Sequence, residues 1–413
     1  EYSFRRFILH YAHLCALAGG VDAFCVGSEM RSLTQVRGED SSFPAVEALC
    51  QLAADVRTIL GPEVKISYAA DWSEYFGYQP QDGSGDVFFH LDDFWAHPDV
   101  DFVGIDFYAP LADWRDGEIH ADAHWGEIYN PAYLQANIEG GEGYDYYYLA
   151  PETRASQMRA PITDGAYDEP WVFRYKDLRN WWGQAHHARI AGVRDSDPTD
   201  WQPSSKPIWF TEFGCPAVDK GANAPNRFYD PKSSESALPP FSNGRRDDLI
   251  QAQYLSAVLD YWEGPANPVS PVYSGPMVDT AHCFAWAWDA RPFPQFPGAE
   301  SIWSDGDNYA RGHWLNGRTG TRSLASVVAG ICEASGITDY DVSELFGIVR
   351  GYRESLGATG REALQPLMLA YGFDVFEDGG VLTFVSRSGR SDADLFVDEL
   401  VASPELEGRL EQS

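Results

Sequence analysis

Positively charged residues are scarce in this chain. Lys and Arg number 30 against 62 Asp and Glu in 413 residues, which gives a formal net charge of −32 at pH 7. Proteins that bind nucleic acid need a basic surface to neutralise the phosphates. We therefore expect no nucleic-acid partner.

Paired cysteine motifs are also missing. The six cysteines form no CxxC pair, and most stand inside apolar runs, as Cys25 and Cys283 do. Such positions are typical of buried free thiols, so we expect no disulfide framework, no zinc site and no cofactor. One loose polar group could hold a cation, although its spacing matches no metal motif: His90, Asp92, Asp93 and His97.

Long hydrophobic runs are absent as well. No stretch of about 18 apolar residues occurs, so we expect no membrane-spanning segment. The chain begins Glu1-Tyr2-Ser3 without a Met or a signal-peptide pattern, and we expect it to be a piece of a longer polypeptide. Its length and its 44% of apolar residues favour one large domain plus a smaller one.

What the chain does have is an alternation of amphipathic helices with short apolar strands. Helices are predicted over 4–18, 44–60, 170–191 and 246–263, and strands over 22–28, 64–70, 101–108, 207–212 and 282–288. Parallel strands that helices cover on both faces have this pattern. A doubly wound sheet and a TIM barrel both satisfy it.

Two details favour the barrel. No GxGxxG turn follows any strand, and polar or aromatic residues stand at the strand ends, where a barrel assembles its active site: Glu29, Asp71, Trp72, Asp106, Tyr108, Glu212, Trp286, Trp288 and Asp289. Five strands are visible, whereas a barrel needs eight. We therefore predict an α/β fold with strands four to eight of a (β/α)8 TIM barrel, and expect the first three βα units upstream of Glu1.

The pattern changes after Asp289. We predict a barrel domain over 1–300, a linker over 301–322 and a small α+β domain over 323–413. The small domain is expected to contain a helix over 323–335, an amphipathic segment over 360–371 and a hairpin that turns at Asp378-Gly379-Gly380. We find no catalytic constellation in it.

Three long loops are rich in aromatic, Gly and acidic residues: 72–98, 109–169 and 213–245. Loops of this length in a compact domain tend to be functional or disordered. The aromatic run over 140–148 indicates that this part of the second loop is ordered. These loops either form the wall of a substrate groove or pack against a neighbouring subunit.

Glu29 and Glu212 each follow a buried strand. Glycoside hydrolysis uses two carboxyl groups, which lie about 5 to 5.5 Å apart in retaining enzymes and about 6.5 to 9.5 Å apart in inverting ones. If these residues end strands four and seven, they face each other across the barrel mouth. Tyr108 could then donate to Glu212, and Trp288 could stack on a sugar ring.

Non-catalytic interpretations remain open for these positions. Rim glutamates can bind Arg or cap loops, and a rim aspartate such as Asp106 often accepts hydrogen bonds from loop backbone. Asp71 and Trp72 are expected to line the same groove, as is Trp286.

Four motifs together resemble the barrel of retaining glycosidases with catalytic glutamates on strands four and seven, especially endo-β-mannanase-like members: Gly27-Ser28-Glu29, Tyr68-Ala69-Ala70-Asp71-Trp72, Gly104-Ile105-Asp106-Phe107-Tyr108 and Thr211-Glu212-Phe213-Gly214. Residues 1 to about 300 more closely resemble the glycosidase-like TIM-barrel domain of gene transfer agent and phage-tail host-specificity proteins. Residues 310–400 resemble the tail-hub module that follows it.

The resemblance implies a tail-tip or baseplate subunit, made in the bacterial cytoplasm, carried on the tail of a virion or gene-transfer-agent particle and acting at the cell surface. Its partners would be other tail subunits and a cell-surface polysaccharide. Matching the motifs makes Glu29 the acid/base and Glu212 the nucleophile. Ser28 departs from the Asn that usually precedes the acid/base and binds the sugar 2-hydroxyl.

Three hypotheses therefore stay open. The barrel hydrolyses a β-linked surface glycan with retention, or it is an inactive structural or adhesin protein that binds glycan, or the chain is a free-standing glycosidase with an accessory domain.

Overall fold

The computed structural model describes residues 3–229, 236–292, 294–316, 322–352 and 357–387, together with the backbone of two short strands near the C-terminus. The chain forms two compact units, Glu1–Thr319 and Gly320–Ser413. Residues 317–321 of the predicted linker lie outside the described part, as does most of the chain after 387. None of the helices described is long and apolar enough to cross a bilayer.

The first unit is built on a parallel sheet of four strands in the order β1-β2-β3-β8. The strands of this unit are β1 Ala23–Ser28, β2 Lys65–Asp71, β3 Val103–Phe107, β4 Tyr146–Tyr147, β5 Ala160–Pro161, β6 Arg189–Ile190, β7 Val193–Arg194 and β8 Ile208–Phe213. Its helices are α1 Phe4–Leu17, α2 Arg31–Thr34, α3 Pro44–Leu60, α4 Asp92–Ala96, α5 Pro131–Ala136, α6 Pro151–Ala155, α7 Leu178–Gly183, α8 Asp248–Glu263 and α9 Gln295–Gly298.

The long helices begin and end where their sequences predict. The Ser3 side chain accepts a hydrogen bond from the backbone N–H of Arg6 and caps α1, and Asp247 caps α8 in the same way. Pro44 opens α3, because its missing N–H costs nothing in the first turn, and Gly61 ends it with a positive φ. The apolar face of α3 packs into the core.

The helix predicted over 170–191 is wrong. The chain instead forms a 3-10 turn over Pro170–Phe173, the short helix α7 and the hairpin β6-β7. The side chain of Asp177 caps α7, so a new helix starts in mid-segment. Arg189 is buried and pairs with Asp164 and Glu169, and these ion pairs hold the segment in an irregular path.

The fifth strand predicted over 282–288 is reduced to isolated parallel bridges. Phe213 bridges to Ala285, and Ile208 bridges to Val278 in the preceding segment. These contacts still place 278–286 beside β8, on the side opposite β3. The order of the chain segments across the sheet is therefore the one that a singly wound barrel requires.

The register of the sheet brings polar residues together at its carboxyl edge. Asp71 on β2 pairs with Asp106 on β3, and Asp106 pairs with Glu212 on β8. Glu29 directly follows β1, and its backbone N–H donates to the carbonyl of Ala69 at 2.8 Å. Below this edge β2, β3 and β8 are mostly apolar and buried, whereas β1 is only partly buried, with Val26 as its one buried residue.

Gly104 allows the close approach of β2 and β3. A Cβ atom at this position would lie 2.5 Å from the backbone carbonyl oxygen of Tyr68. Only glycine therefore fits beside Tyr68 without a shift of the backbone.

The second unit has its own small apolar core, which includes Leu324, Val328, Phe373 and Phe384. Its elements are β9 Arg322–Ser323, α10 Leu324–Ala334, β10 Tyr340–Glu344, β11 Ile348–Val349, α11 Gly360–Tyr371, β12 Phe373–Asp378, β13 Val381–Ser386, β14 Leu400–Ala402 and β15 Leu410–Gln412. Strands β12 and β13 form the predicted antiparallel hairpin, and β10 joins β13 in parallel. This unit is an α+β fold.

Candidate active site

Three carboxyl groups meet at the carboxyl edge of the sheet. One carboxylate oxygen each from Glu29, Asp106 and Glu212 lies within 4.8 Å of the other two. The residues come from the ends of β1, β3 and β8. The fold brings them together, since they are far apart in the sequence. Like charges this close cannot all ionise readily, and their pKa values must separate.

Glu29 adopts a left-handed backbone conformation, with φ of 51°. This is an uncommon conformation for a residue other than glycine, and it turns the chain away from β1 at the rim. The residue as a whole is exposed, yet partial burial of its carboxyl group is the largest cause of a pKa raised to about 7. The negative charges of Asp71 and Glu212 raise it further.

Glu212 lies near the end of β8 and is held by a tyrosine. The Tyr108 hydroxyl donates to Glu212 Oε2 at 2.7 Å. Partial burial raises the pKa of Glu212, and the hydrogen bond from Tyr108 opposes that rise because it stabilises the ionised form. Glu212 thus has a dedicated donor, and Glu29 has no such donor among the side-chain contacts described.

Asp106 is fully buried between the two glutamates. Thr211 Oγ1 donates to its Oδ1 at 2.6 Å, and Ser28 Oγ lies 3.3 Å from its Oδ2. Burial is the first cause of a pKa raised to about 8, and the charge of Glu212 is the second. The contacts described for this carboxyl are with side chains, whereas the sequence favoured loop backbone.

The Asp71-Trp72 pair lies beside these carboxylates. Asp71 Oδ1 accepts a hydrogen bond from the backbone N–H of Ser73 at 2.8 Å, which caps the turn after β2. The Trp72 ring packs edge-on against Tyr175, with centroids 4.6 Å apart. The charge of Asp71 raises the pKa of Glu29, and Trp72 is half-buried against Tyr175.

Trp286 and Trp288 line a cavity of about 670 Å³ in the first unit. Their exposed fractions are 42% and 63%, and Trp314 and Tyr229 complete the aromatic lining. The Trp286–Ala287 peptide bond is cis. These indole faces are available to a flat apolar ligand surface.

Two further lining residues of the cavity pack against the tyrosine that holds Glu212. The rings of Phe228 and His313 contact Tyr108, at centroid distances of 5.6 and 5.8 Å. The buried Tyr108 thus stands between the aromatic cavity and the carboxylate of Glu212.

Sequence analysis missed Glu74 and further aromatic loop residues that line the cavity. Glu74 is fully buried, accepts hydrogen bonds from Thr34 and from Tyr68 at 3.1 Å, and adds negative charge beside Glu29. It stands in a turn, so no strand-end pattern points to it. Phe228 and Trp314 come from loops whose paths the sequence does not specify.

Two groups of polar side chains contain residue types that can bind a metal. The polar group at 90–97 is dispersed: Asp92 pairs with His186 at 2.8 Å, and His90 lies 3.5 Å from the Thr34 hydroxyl. The three rim carboxylates are close enough to share a cation. A Ca²⁺ ion there would need bidentate carboxylates or added waters, because it takes six to eight oxygen ligands.

The chain matches two protein families along most of its length. The GTA (gene transfer agent) TIM-barrel-like domain matches residues 2–297, and a family described as putative phage tail protein matches residues 359–412. Together they confirm the family resemblance predicted from the motifs and support a phage or gene-transfer-agent tail component. A comparison with curated proteins finds no match.

Solved structures of two β-mannanases are distantly similar. GH113 β-mannanase AaManA from Alicyclobacillus acidocaldarius in complex with ManMIm is 17% identical, with a TM-score of 0.33, 76% of this chain covered and 56% of that chain. A complex structure of GH113 β-1,4-mannanase is 15% identical, with a TM-score of 0.34 and coverages of 76% and 57%. The chain thus spans just over half the length of these proteins, and a likeness this distant says nothing of activity.

The residues matched by the barrel family include the three rim carboxylates, both exposed tryptophans and the whole four-stranded parallel sheet. The chain belongs to the GTA TIM-barrel-like domain family.

Proposed function

We propose that this protein is a tail-tip or baseplate component whose barrel binds a β-linked cell-surface glycan and hydrolyses it with retention. The observation that carries the proposal is the approach of Glu29 and Glu212, whose carboxylate oxygens lie within 4.8 Å. Carboxyl groups about 5 to 5.5 Å apart leave no room for a water between the second carboxylate and the anomeric carbon, so that carboxylate attacks directly. An approach this close favours the retaining spacing over the about 6.5 to 9.5 Å of inverting enzymes.

The two glutamates differ in the way that their roles require. Glu29, with a pKa raised to about 7, keeps its proton near neutral pH and acts as the general acid for the leaving oxygen. The hydrogen bond from Tyr108 favours ionised Glu212, which attacks the anomeric carbon. After the glycosyl-enzyme ester forms, Glu29 takes a proton from water and the ester is hydrolysed.

The cavity beside Glu212 suits a sugar chain. Trp286 and Trp288 present ring faces on which the apolar face of a pyranose stacks, while Ser28, Asp71 and the two glutamates supply hydrogen-bonding groups around the reacting centre. Trp72 supports this wall through its contact with Tyr175. The other partners would be further tail subunits on the virion or gene-transfer-agent particle, which meets its glycan at the host cell surface.

The test is the release of reducing ends from host capsule, lipopolysaccharide and β-mannan by the purified chain. We expect release by wild type and a loss of about 10²-fold or more in Glu29→Gln and Glu212→Gln. Glu63→Gln is the matched control, because Glu63 is exposed and lies away from the cluster. Binding of these glycans without release by wild type would overturn the hydrolase and favour the adhesin.

A further inference from the structure

Asp106 is a third carboxyl group beside the two glutamates, although glycoside hydrolysis requires only two. It is fully buried, and its carboxylate lies within 4.8 Å of both Glu29 and Glu212. Its two oxygens are already engaged at hydrogen-bond distance, one by Thr211 at 2.6 Å and the other by Ser28 at 3.3 Å. A group so enclosed has little surface left for a sugar.

The titratable groups around Asp106 carry no positive charge. They come from its own strand, from β1 and the residue after it, from β2 and from β8: Tyr108, Cys25, Glu29, Tyr68, Asp71 and Glu212. Among the residues that the structure describes, no Lys or Arg forms an ion pair with any of the three clustered carboxylates. Three charges here would repel one another without compensation.

We propose that Asp106 is a positioning residue that keeps its proton while the two glutamates react. This inference rests on the proposed function, because it assigns a state to a residue beside that catalytic pair. As a neutral carboxyl it links β1, β3 and β8 through Ser28 and Thr211 and adds no third charge. The single negative charge that the reaction needs then stays on Glu212.

The order of ionisation supports this assignment. Burial and both glutamate charges raise the pKa of Asp106 to about 8, above that of Glu29 at about 7. The charges that raise the pKa of Glu29 are those of Asp71, Glu212 and Glu74. Asp106, the most buried of the three carboxyl groups, therefore holds its proton more strongly than Glu29 does.

The first experiment titrates the carboxyl ¹³C resonances of the intact chain by NMR and needs no substrate. In wild type we expect one carboxyl that titrates above both glutamates, and its absence in Asp106→Asn. The amide of Asn copies the neutral state, so the two glutamates should titrate in the variant as in wild type. Downward shifts of both glutamates in Asp106→Asn would overturn the proposal, because they would show a charged Asp106 in wild type.

A second variant tests the inference if Asp106→Asn does not fold. Thr211→Val removes a donor that lowers the pKa of Asp106 and preserves the shape of the side chain. The highest-titrating carboxyl should move to still higher pH in this variant. If the titration of this resonance were unchanged, the proton would belong to another group, which would contradict the inference.

The kinetic readout separates this inference from the proposed function. If the chain hydrolyses glycan, Asp106→Asn should retain kcat/KM below pH 7 within about threefold, since its charge state is already that of wild type. Asp106→Ala, which loses the links to Ser28 and Thr211, should be much less active at the same pH. Equal losses in both variants would contradict a neutral Asp106, whereas no activity in any variant or in wild type would contradict the proposed function and leave the NMR result standing.

Discussion

The carboxylates of Glu29 and Glu212 lie within 4.8 Å of each other, although 183 positions separate them in the chain. Parallel pairing of β1, β2, β3 and β8 produces this approach, because all four strands end at the same rim. The same pairing places Asp106 between them. Five predictions concern these residues and the residues around them.

Tyr108→Phe should impair the ionisation of Glu212. The hydrogen bond at 2.7 Å stabilises the carboxylate, and hydrogen bonds to charged groups contribute about 1.5 to 3 kcal/mol. Its loss raises the pKa of Glu212, so the acidic limb of kcat/KM should move to higher pH by about 1 to 2 units. Tyr11→Phe, on the exposed face of α1, is the control and should leave the profile unchanged.

The alkaline limb of activity should report Glu29. Its proton is lost as the pH rises through about 7, and the general acid is then missing, so kcat/KM should fall above that pH. Asp71→Asn removes a charge that raises this pKa, and the limb should shift to lower pH. Asp22→Asn serves as a surface control. An alkaline limb that does not respond to Asp71→Asn would assign the limb to a different group.

Trp288→Ala should weaken glycan binding more than it slows the reaction. An exposed aromatic platform contributes about 0.5 to 1.5 kcal/mol beyond its buried area, so KM should rise about 3- to 10-fold with a smaller change in kcat. Phe346→Ala, which removes an exposed ring from the second unit, is the matched control. Equal effects of the two variants on KM would show that the cavity is not part of the glycan-binding site.

Gly104→Ala should destabilise the sheet at the rim. The added Cβ would lie 2.5 Å from the Tyr68 carbonyl oxygen, and backbone must move to admit it. We expect a loss of about 1 to 3 kcal/mol in the free energy of unfolding, measured by urea denaturation. Gly165→Ala is the control, because no atom lies within 4 Å of its added Cβ and its φ is not positive.

Stability should also depend on pH through Asp106. A carboxyl whose pKa is higher in the folded state than in the unfolded state stabilises the fold below its unfolded pKa of about 4, and that contribution is lost as pH rises through about 8. Between these values the folded chain binds more protons, so unfolding becomes easier with rising pH. Urea midpoints should fall less steeply over this range in Asp106→Asn than in wild type.

Much of the fold could be predicted from the sequence, because local signals mark its elements. The helix predicted over 44–60 is observed as Pro44–Leu60, between a proline and a glycine that specify its ends, and the predicted strands 22–28 and 207–212 are observed as Ala23–Ser28 and Ile208–Phe213. The helix over 170–191 was wrong because buried ion pairs of Arg189, which are tertiary contacts, override its helical periodicity. The domain limits at 300 and 323 stay predictions.

The candidate site was predicted in part. Residues at strand ends could be recognised, since parallel strands end together, and the structure brings Glu29, Asp106 and Glu212 into contact distance. Glu74 could not be found, because its burial depends on Thr34 and Tyr68 from distant elements. The protonation order within the cluster likewise depends on distances that no sequence pattern contains.

The most direct test of the catalytic pair is the anomeric configuration of the first product, followed by ¹H NMR on a β-linked glycan that the chain cleaves. Retention through Glu212 predicts that the β-anomer appears first and that the α-anomer grows only by mutarotation. Early appearance of the α-anomer, or no product from any of the capsule, lipopolysaccharide and mannan substrates, would contradict a retaining pair formed by Glu29 and Glu212.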